Sequence, residues 1–95
     1  MPRARKKPPL SPAQGALGTA VERLRKAKGM TQEELGALIY RDHQAAGPIE
    51  RGQANPTYLT LRRLAEALGT RPGKLLGLAD EILDEEDPDP SARDA

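Results

Sequence analysis

Ninety-five residues, with 15 Lys and Arg against 14 Asp and Glu and no Cys, Phe or Trp, leave room for one small domain and its tails. Disulfides, thiolate metal sites and thiol catalysis are excluded, and any core has to be built from Leu, Ile, Val and Ala. No run approaches the roughly 18 apolar residues of a membrane span, and the basic N-terminus leads into proline-rich sequence rather than a secretory signal, so a cytoplasmic protein is expected.

The chain opens with MPRARKKPPL, basic and proline-rich without an apolar period, which reads as a flexible arm over residues 1–10. SPAQGALGTAVERLRKAKG then predicts a first helix. Ser11 suits its N-cap and Pro12 its first turn; Leu17, Val21 and Leu24 share one face, and Gly29 ends it. MTQEELGALI predicts a second, shorter helix, with Thr31 and Glu34 as a capping box and Leu35, Leu38 and Ile39 as its apolar stripe.

The next segment, YRDHQAAGPIERG over residues 40–52, contains a conflict. Asp42 suits an N-cap and His43 to Ala46 suit a helix start, but Gly47-Pro48 follows where the pattern asks the helix to continue. Proline in a helix interior costs about 3 kcal/mol and also disfavours helical geometry at the residue before it.

Asn55-Pro56 marks a turn. TYLTLRRLAEALG is the clearest helix in the chain, with Leu61, Leu64, Ala65 and Leu68 on one face and Gly69 as its stop. A last helix is expected to start after Thr70, with Pro72 in its first turn and Leu75 and Leu76 along it. Leu78, Ile82 and Leu83 either extend it or form a separate contact segment. No segment alternates with period two, so the fold class is all-α, about five short helices within residues 11–83. Residues 84–95 are expected to be a disordered acidic tail. Residues 80–95 hold eight acids against Arg93 alone, a balance of −7, and the remaining 79 residues carry +8. Such a split suits a polyanionic partner and a tail that repels or competes for it; two merely solvated charge blocks are the plainer alternative.

Two short helices joined by a tight turn in an all-helical domain are the elements of a helix-turn-helix. VERLRKAKGMTQEELGALI followed by IERGQANPTYLTLRRLAEALG resembles the Cro and phage-repressor (XRE) type of this domain, over roughly residues 17–78. The resemblance implies a lambda-repressor-like fold in a sequence-specific DNA-binding transcriptional regulator, with a repressor expected, that reads the major groove. It also implies a homodimer on two half-sites about one helical turn apart, with double-stranded DNA as partner and no cofactor.

Roles for individual residues follow from the same resemblance. Gln32 would meet a phosphate at the N-terminus of the second helix. His43 and Gln44 would begin the recognition helix, where glutamine can pair with adenine and histidine can donate to guanine or a phosphate. Arg41, Arg51 and Asn55 flank that helix as phosphate contacts, and Arg25 and Glu50 would form a buried structural ion pair. Arg3, Arg5, Lys6 and Lys7 either follow the DNA or only keep the arm soluble. Leu75, Leu76, Leu78, Ile82 and Leu83 are the dimer-contact candidates, and Leu24, Leu35, Ile49 and Leu64 the core candidates.

The pattern departs from the family in the turn. Relatives usually have glycine there with a small apolar neighbour; this chain has Tyr40 and Arg41. Gly36 stands where the second helix usually carries alanine, a cost near 1 kcal/mol. Two resolutions of Gly47-Pro48 are open. Either Asp42 to Ala46 forms a short turn, with a second turn from Pro48 to Gly52, and base reading survives; or the recognition surface is degraded and the scaffold binds protein. The basic arm and body favour the first.

Other classes find less support. An enzyme is not expected from one histidine, no cysteine and no convergent polar set. GTRPGKLL falls one residue short of a phosphate loop and has leucine where Ser or Thr is required. The acidic tail lacks the glycine and spacing of a calcium loop, and no metal ligand set is present. The rival to DNA binding is a protein-interaction module, antitoxin-like, whose acidic tail docks on a basic partner.

Overall fold

The computed structural model describes residues 7–86, which form five helices and no strand. They are α1 (Pro12–Ala27), α2 (Gln32–Tyr40), α3 (Ala46–Glu50), α4 (Tyr58–Ala67) and α5 (Pro72–Glu86). The starts follow the local chemistry. Ser11 Oγ accepts from the Gln14 N–H at 3.1 Å. Thr31 and Glu34 cap each other reciprocally at 3.0 and 2.9 Å. Thr57 caps α4, accepting from the Thr60 N–H at 3.2 Å. α5 is continuous through Leu78, Ile82 and Leu83, and it runs on through Asp84–Glu86. The boundary placed at Leu83 is therefore three residues too early, because the first acids after Leu83 complete the helix that Ile82 anchors.

α1 is the central strut, packed on α5 along one side and on α3 along the other, while α2 bridges α3 and α4. The largest fully buried side chains are Val21, Leu35, Leu64, Leu75 and Ile82. Leu75 and Ile82 are therefore core and not dimer contacts, whereas Leu76 is 40% exposed. Leu24, placed in the core from the sequence, is only partly buried at its margin. Leu38 leaves the expected stripe of α2 altogether: it is 60% exposed, over an open hollow beside Arg63, Glu66 and Ala67. A nine-residue helix wedged between two others has a narrow buried face, here Leu35, Gly36 and Ile39.

A core this poor in large side chains compensates with close backbone approach. A Cβ on Gly18 would stand 2.4 Å from the Glu50 carbonyl oxygen, so α1 and the end of α3 touch main chain to main chain. Gly36 plays the same part in α2, where a Cβ would lie 2.3 Å from the Asp42 carbonyl oxygen. The residue that looked like a weak point in the helix is what lets the turn fold back against it.

Opposite effects are therefore expected from two Gly→Ala changes in helices. Gly36→Ala should destabilise by about 1–3 kcal/mol despite its better helix propensity, since backbone has to move. Gly73→Ala, where nothing lies within 4 Å, should gain about 0.5–1 kcal/mol. Urea midpoints of the two variants against the parent check both signs.

Candidate nucleic-acid interface

The segment between α2 and α3 resolves the conflict over Gly47-Pro48. α2 ends with Arg41 in the left-handed region, φ 55°, the only non-glycine residue with positive φ among those described. The chain then turns through Asp42: its side chain accepts from the Gln44 N–H at 2.9 Å and its carbonyl from the Ala45 N–H at 3.1 Å. α3 begins only at Ala46, not near Asp42 as expected, so His43 and Gln44 sit in the turn before the helix. Pro48 is then the third residue of α3. The first four N–H groups of a helix have no intrahelical partner, so its missing donor leaves no gap.

α3 stops as sharply as it starts. Gly52, φ 72°, follows the cap residue Arg51; the Gly52 N–H bonds to the Ile49 carbonyl at 3.1 Å and the Gln53 N–H to that of Pro48 at 2.9 Å. This double closure is the Schellman arrangement.

A five-residue helix cannot hold itself, and an ion pair holds this one. Arg25 Nε donates to Glu50 Oε2 at 2.6 Å, and Arg25 Nη2 to Glu50 Oε1 at 3.0 Å. The side chains are 11% and 2% exposed. Gln32 Nε2 adds a third bond to Glu50 Oε1 at 2.9 Å, and Arg25 Nη1 reaches the Met30 carbonyl at 2.8 Å. The hydrogen bond to Glu50, followed by its charge, raises the Arg25 guanidinium above its ordinary value against the opposing effect of burial. No buried side-chain N or O among the described residues lacks a partner.

A second clamp escaped the sequence reading. The Tyr40 hydroxyl hydrogen-bonds to Thr60 Oγ1, and the Arg63 guanidinium lies over the Tyr40 ring at 5.4 Å while Nη1 donates to the Ile39 carbonyl at 3.5 Å. Tyr40 thus moors the end of α2 to α4; its only signal in the sequence was that it broke the family pattern. Gln53 was also missed. Its amide donates to the Pro8 carbonyl, and the Leu10 N–H bonds to the Gly52 carbonyl at 2.8 Å. Pro8 to Leu10, assigned to the flexible arm, are therefore fastened beside the end of α3.

The named site residues take different positions. His43, Gln44 and Arg41 are exposed together on the turn, and Arg51 and Asn55 are exposed beyond α3. The Arg51 guanidinium lies over Gly47, where a Cβ would come within 2.9 Å of Nη1. Gln32 is half-buried, with one amide hydrogen committed to Glu50. Lys7 is exposed; Arg3, Arg5 and Lys6 lie outside the described residues.

A helix-turn-helix family model matches residues 21–75, more than half of the chain. The chain belongs to the helix-turn-helix family, of the XRE type. It is 43% identical over 65 residues to the uncharacterized HTH-type transcriptional regulator y4dJ of Sinorhizobium fredii, spanning 68% of this chain and 84% of that protein. Two crystal structures of the clp gene regulator ClgR from Corynebacterium glutamicum also resemble it, both at 26% identity. Their TM-scores are 0.73 and 0.70, covering 78% and 83% of this chain and 79% and 99% of theirs. Among the described residues no helix is long and apolar enough to cross a membrane, and no cluster of His, Asp and Glu could hold a metal ion.

In this helix-turn-helix, α2, the turn and α3 depend on two buried charges. Arg25→Ala should cost about 3–5 kcal/mol, because Glu50 is left buried and unpaired. Replacing both with apolar residues, Arg25→Met with Glu50→Leu, should recover much of that loss. Thermal unfolding of the three proteins checks the order. Glu34, held below the ordinary carboxylate range by hydrogen bonds from the Thr31 backbone and side chain, supports the capping box above that range. Its support is lost as pH falls through the depressed value, so Glu34→Gln should flatten this part of an acid titration followed by circular dichroism.

Proposed function

We propose that the chain is a sequence-specific DNA-binding transcriptional regulator that presents His43 and Gln44 to base edges in the major groove. The observation that carries this reading is the exposure of both side chains on a turn fixed at each end, by Gly36 and Asp42 before it and by Glu50 with Arg25 after it. The relatives' names as regulators support it, as does the family.

Gln44 has the amide needed to pair with adenine N6 and N7, and His43 supplies one further donor. Arg41, Arg51 and Asn55 are the phosphate contacts, with the spare amide hydrogen of Gln32 and the N-terminus of α2 as a fourth. The bonds that fasten Pro8 and Leu10 beside the end of α3 support the basic arm, with Arg3, Arg5, Lys6 and Lys7 in its sequence, as a further contact. One turn and a five-residue helix read few bases, so two copies on two half-sites about one helical turn apart are the working unit. Occupying an operator is enough to block a polymerase, so repression needs no further surface.

Selection from random duplex DNA by the purified full-length protein, followed by sequencing of the bound pool, should yield a two-fold symmetric motif. A pool identical to its input would sink the reading and turn the search to protein partners. Gln44→Ala should relax base preference, costing about 1–3 kcal/mol on the best site and little on unrelated DNA. Arg51→Ala should weaken all sequences alike and flatten the salt dependence of log Kobs by about 1. Fluorescence anisotropy on matched and scrambled duplexes separates the two behaviours.

A further inference from the structure

Gly47 is the second residue of α3, and its backbone makes no use of the freedom of glycine: the described glycines with positive φ are Gly29, Gly52 and Gly69. Glycine within a helix is less stable than alanine there. What the position uses is space. Helical side chains lean toward the N-terminus and residues four apart share a face, so a side chain at 51 falls across residue 47. A Cβ on Gly47 would stand 2.9 Å from Arg51 Nη1 and 3.7 Å from Cζ. The bare Cα lets the guanidinium lie on the backbone, and Gly47 is buried although it has no side chain to bury.

No partner within the described residues explains this placement. Their ion pairs are Arg25–Glu50 and Glu22–Lys26, and no hydrogen bond among them involves the Arg51 side chain. Glu50, its neighbour in sequence, already receives three hydrogen bonds from Arg25 and Gln32. Arg51 is exposed, so a planar fork of N–H donors stands ready for an outside acceptor. Lying over Gly47, that fork is about one helical turn nearer His43 and Gln44 than its own Cα is.

We propose that Gly47 is a positioning residue, whose missing side chain aims the Arg51 guanidinium at a DNA phosphate beside the turn bearing His43 and Gln44. The inference rests on the DNA-binding reading and specifies how one of its phosphate contacts is placed. A side chain at 47 displaces the guanidinium at little cost to the fold, because what it meets is the tip of a flexible chain and not backbone. Gln32 Oε1, 3.5 Å from the same point, is at ordinary contact distance. Its bond to Glu50, and the ion pair behind it, therefore stay as they are. Glycine before proline also has a plainer use, since a Cβ there crowds the proline ring. The two uses separate at Arg51. Crowding by Pro48 does not depend on what stands at 51, whereas aiming acts only through the guanidinium.

Fluorescence anisotropy of the full-length protein on a scrambled duplex, titrated over salt, tests it, with thermal unfolding to confirm that each variant is folded. Gly47→Ala should lower affinity about three- to tenfold near physiological salt and flatten the slope of log Kobs toward that of Arg51→Ala. In the Arg51→Ala background the same change should cost less than about twofold, because nothing is left to displace. Pro48→Ala removes the crowding, so in that background Gly47→Ala should keep its full loss and its flattened slope. Three results overturn the proposal and leave the DNA-binding reading standing. They are a Gly47→Ala protein with the affinity and slope of the parent, an equal loss with and without Arg51, and a loss that disappears with Pro48. A parent that binds no duplex at any salt overturns the DNA-binding reading and this inference together.

Discussion

The position of α3 depends on the buried Arg25–Glu50 pair. Five residues form too few internal hydrogen bonds to persist alone, so the helix exists where its neighbours put it. Removing two charges from water is expensive, and their attraction offsets that cost only when the remaining donors and acceptors are also met. Here they are: Glu50 receives three hydrogen bonds, and Arg25 sends its last one to Met30 in the turn before α2. The network therefore joins α1, the start of α2 and the end of α3 in one unit. An apolar pair could supply comparable stability, but it would not impose a single orientation on the three elements. Gly18 sharpens the constraint, because the α3 carbonyls sit against α1 with no side chain between them.

The turn shows how one departure from a family pattern calls for another. Placing Arg41 in the left-handed region costs on the order of 1 kcal/mol relative to glycine. The loss of alanine at position 36 is linked to it in space: the Asp42 carbonyl occupies the room a Gly36 side chain would need. Tyr40, bonded to Thr60 and covered by Arg63, then fixes the end of α2 from the far side. The glycine has in effect moved from the turn into the helix that the turn packs on, and the added side chains restrain what the backbone no longer does.

Helices and their caps were legible in the sequence because each rests on contacts within four residues: Ser11 with Gln14, Thr31 with Glu34, Thr57 with Thr60. The partnership of Arg25 and Glu50 came from resemblance alone, and the two meet in the fold. What could not be read depends on distant segments. Leu38 fits the helical period as well as Leu35 does, and only the depth of the wedge between α3 and α4 decides which is buried. Leu75 and Ile82 looked as available for a partner as Leu76 until α1 was seen to cover them. The start of α3 was misplaced because Asp42 satisfies the same local rule in a turn as in a helix cap. Its side chain accepts an N–H two residues on in either case.

Pro48 belongs to the same argument about rigidity. In the first turn of α3 it forfeits no hydrogen bond and fixes its own φ. Gly47 beside it admits the Arg51 guanidinium close to the backbone, and Ala46 and Ile49 lock the short helix into the core. The exposed turn bearing His43 and Gln44 is thus bounded by a short helix held in the core. A proline that seemed to break a helix instead sits in the first turn of a shorter one, where its missing donor leaves no gap.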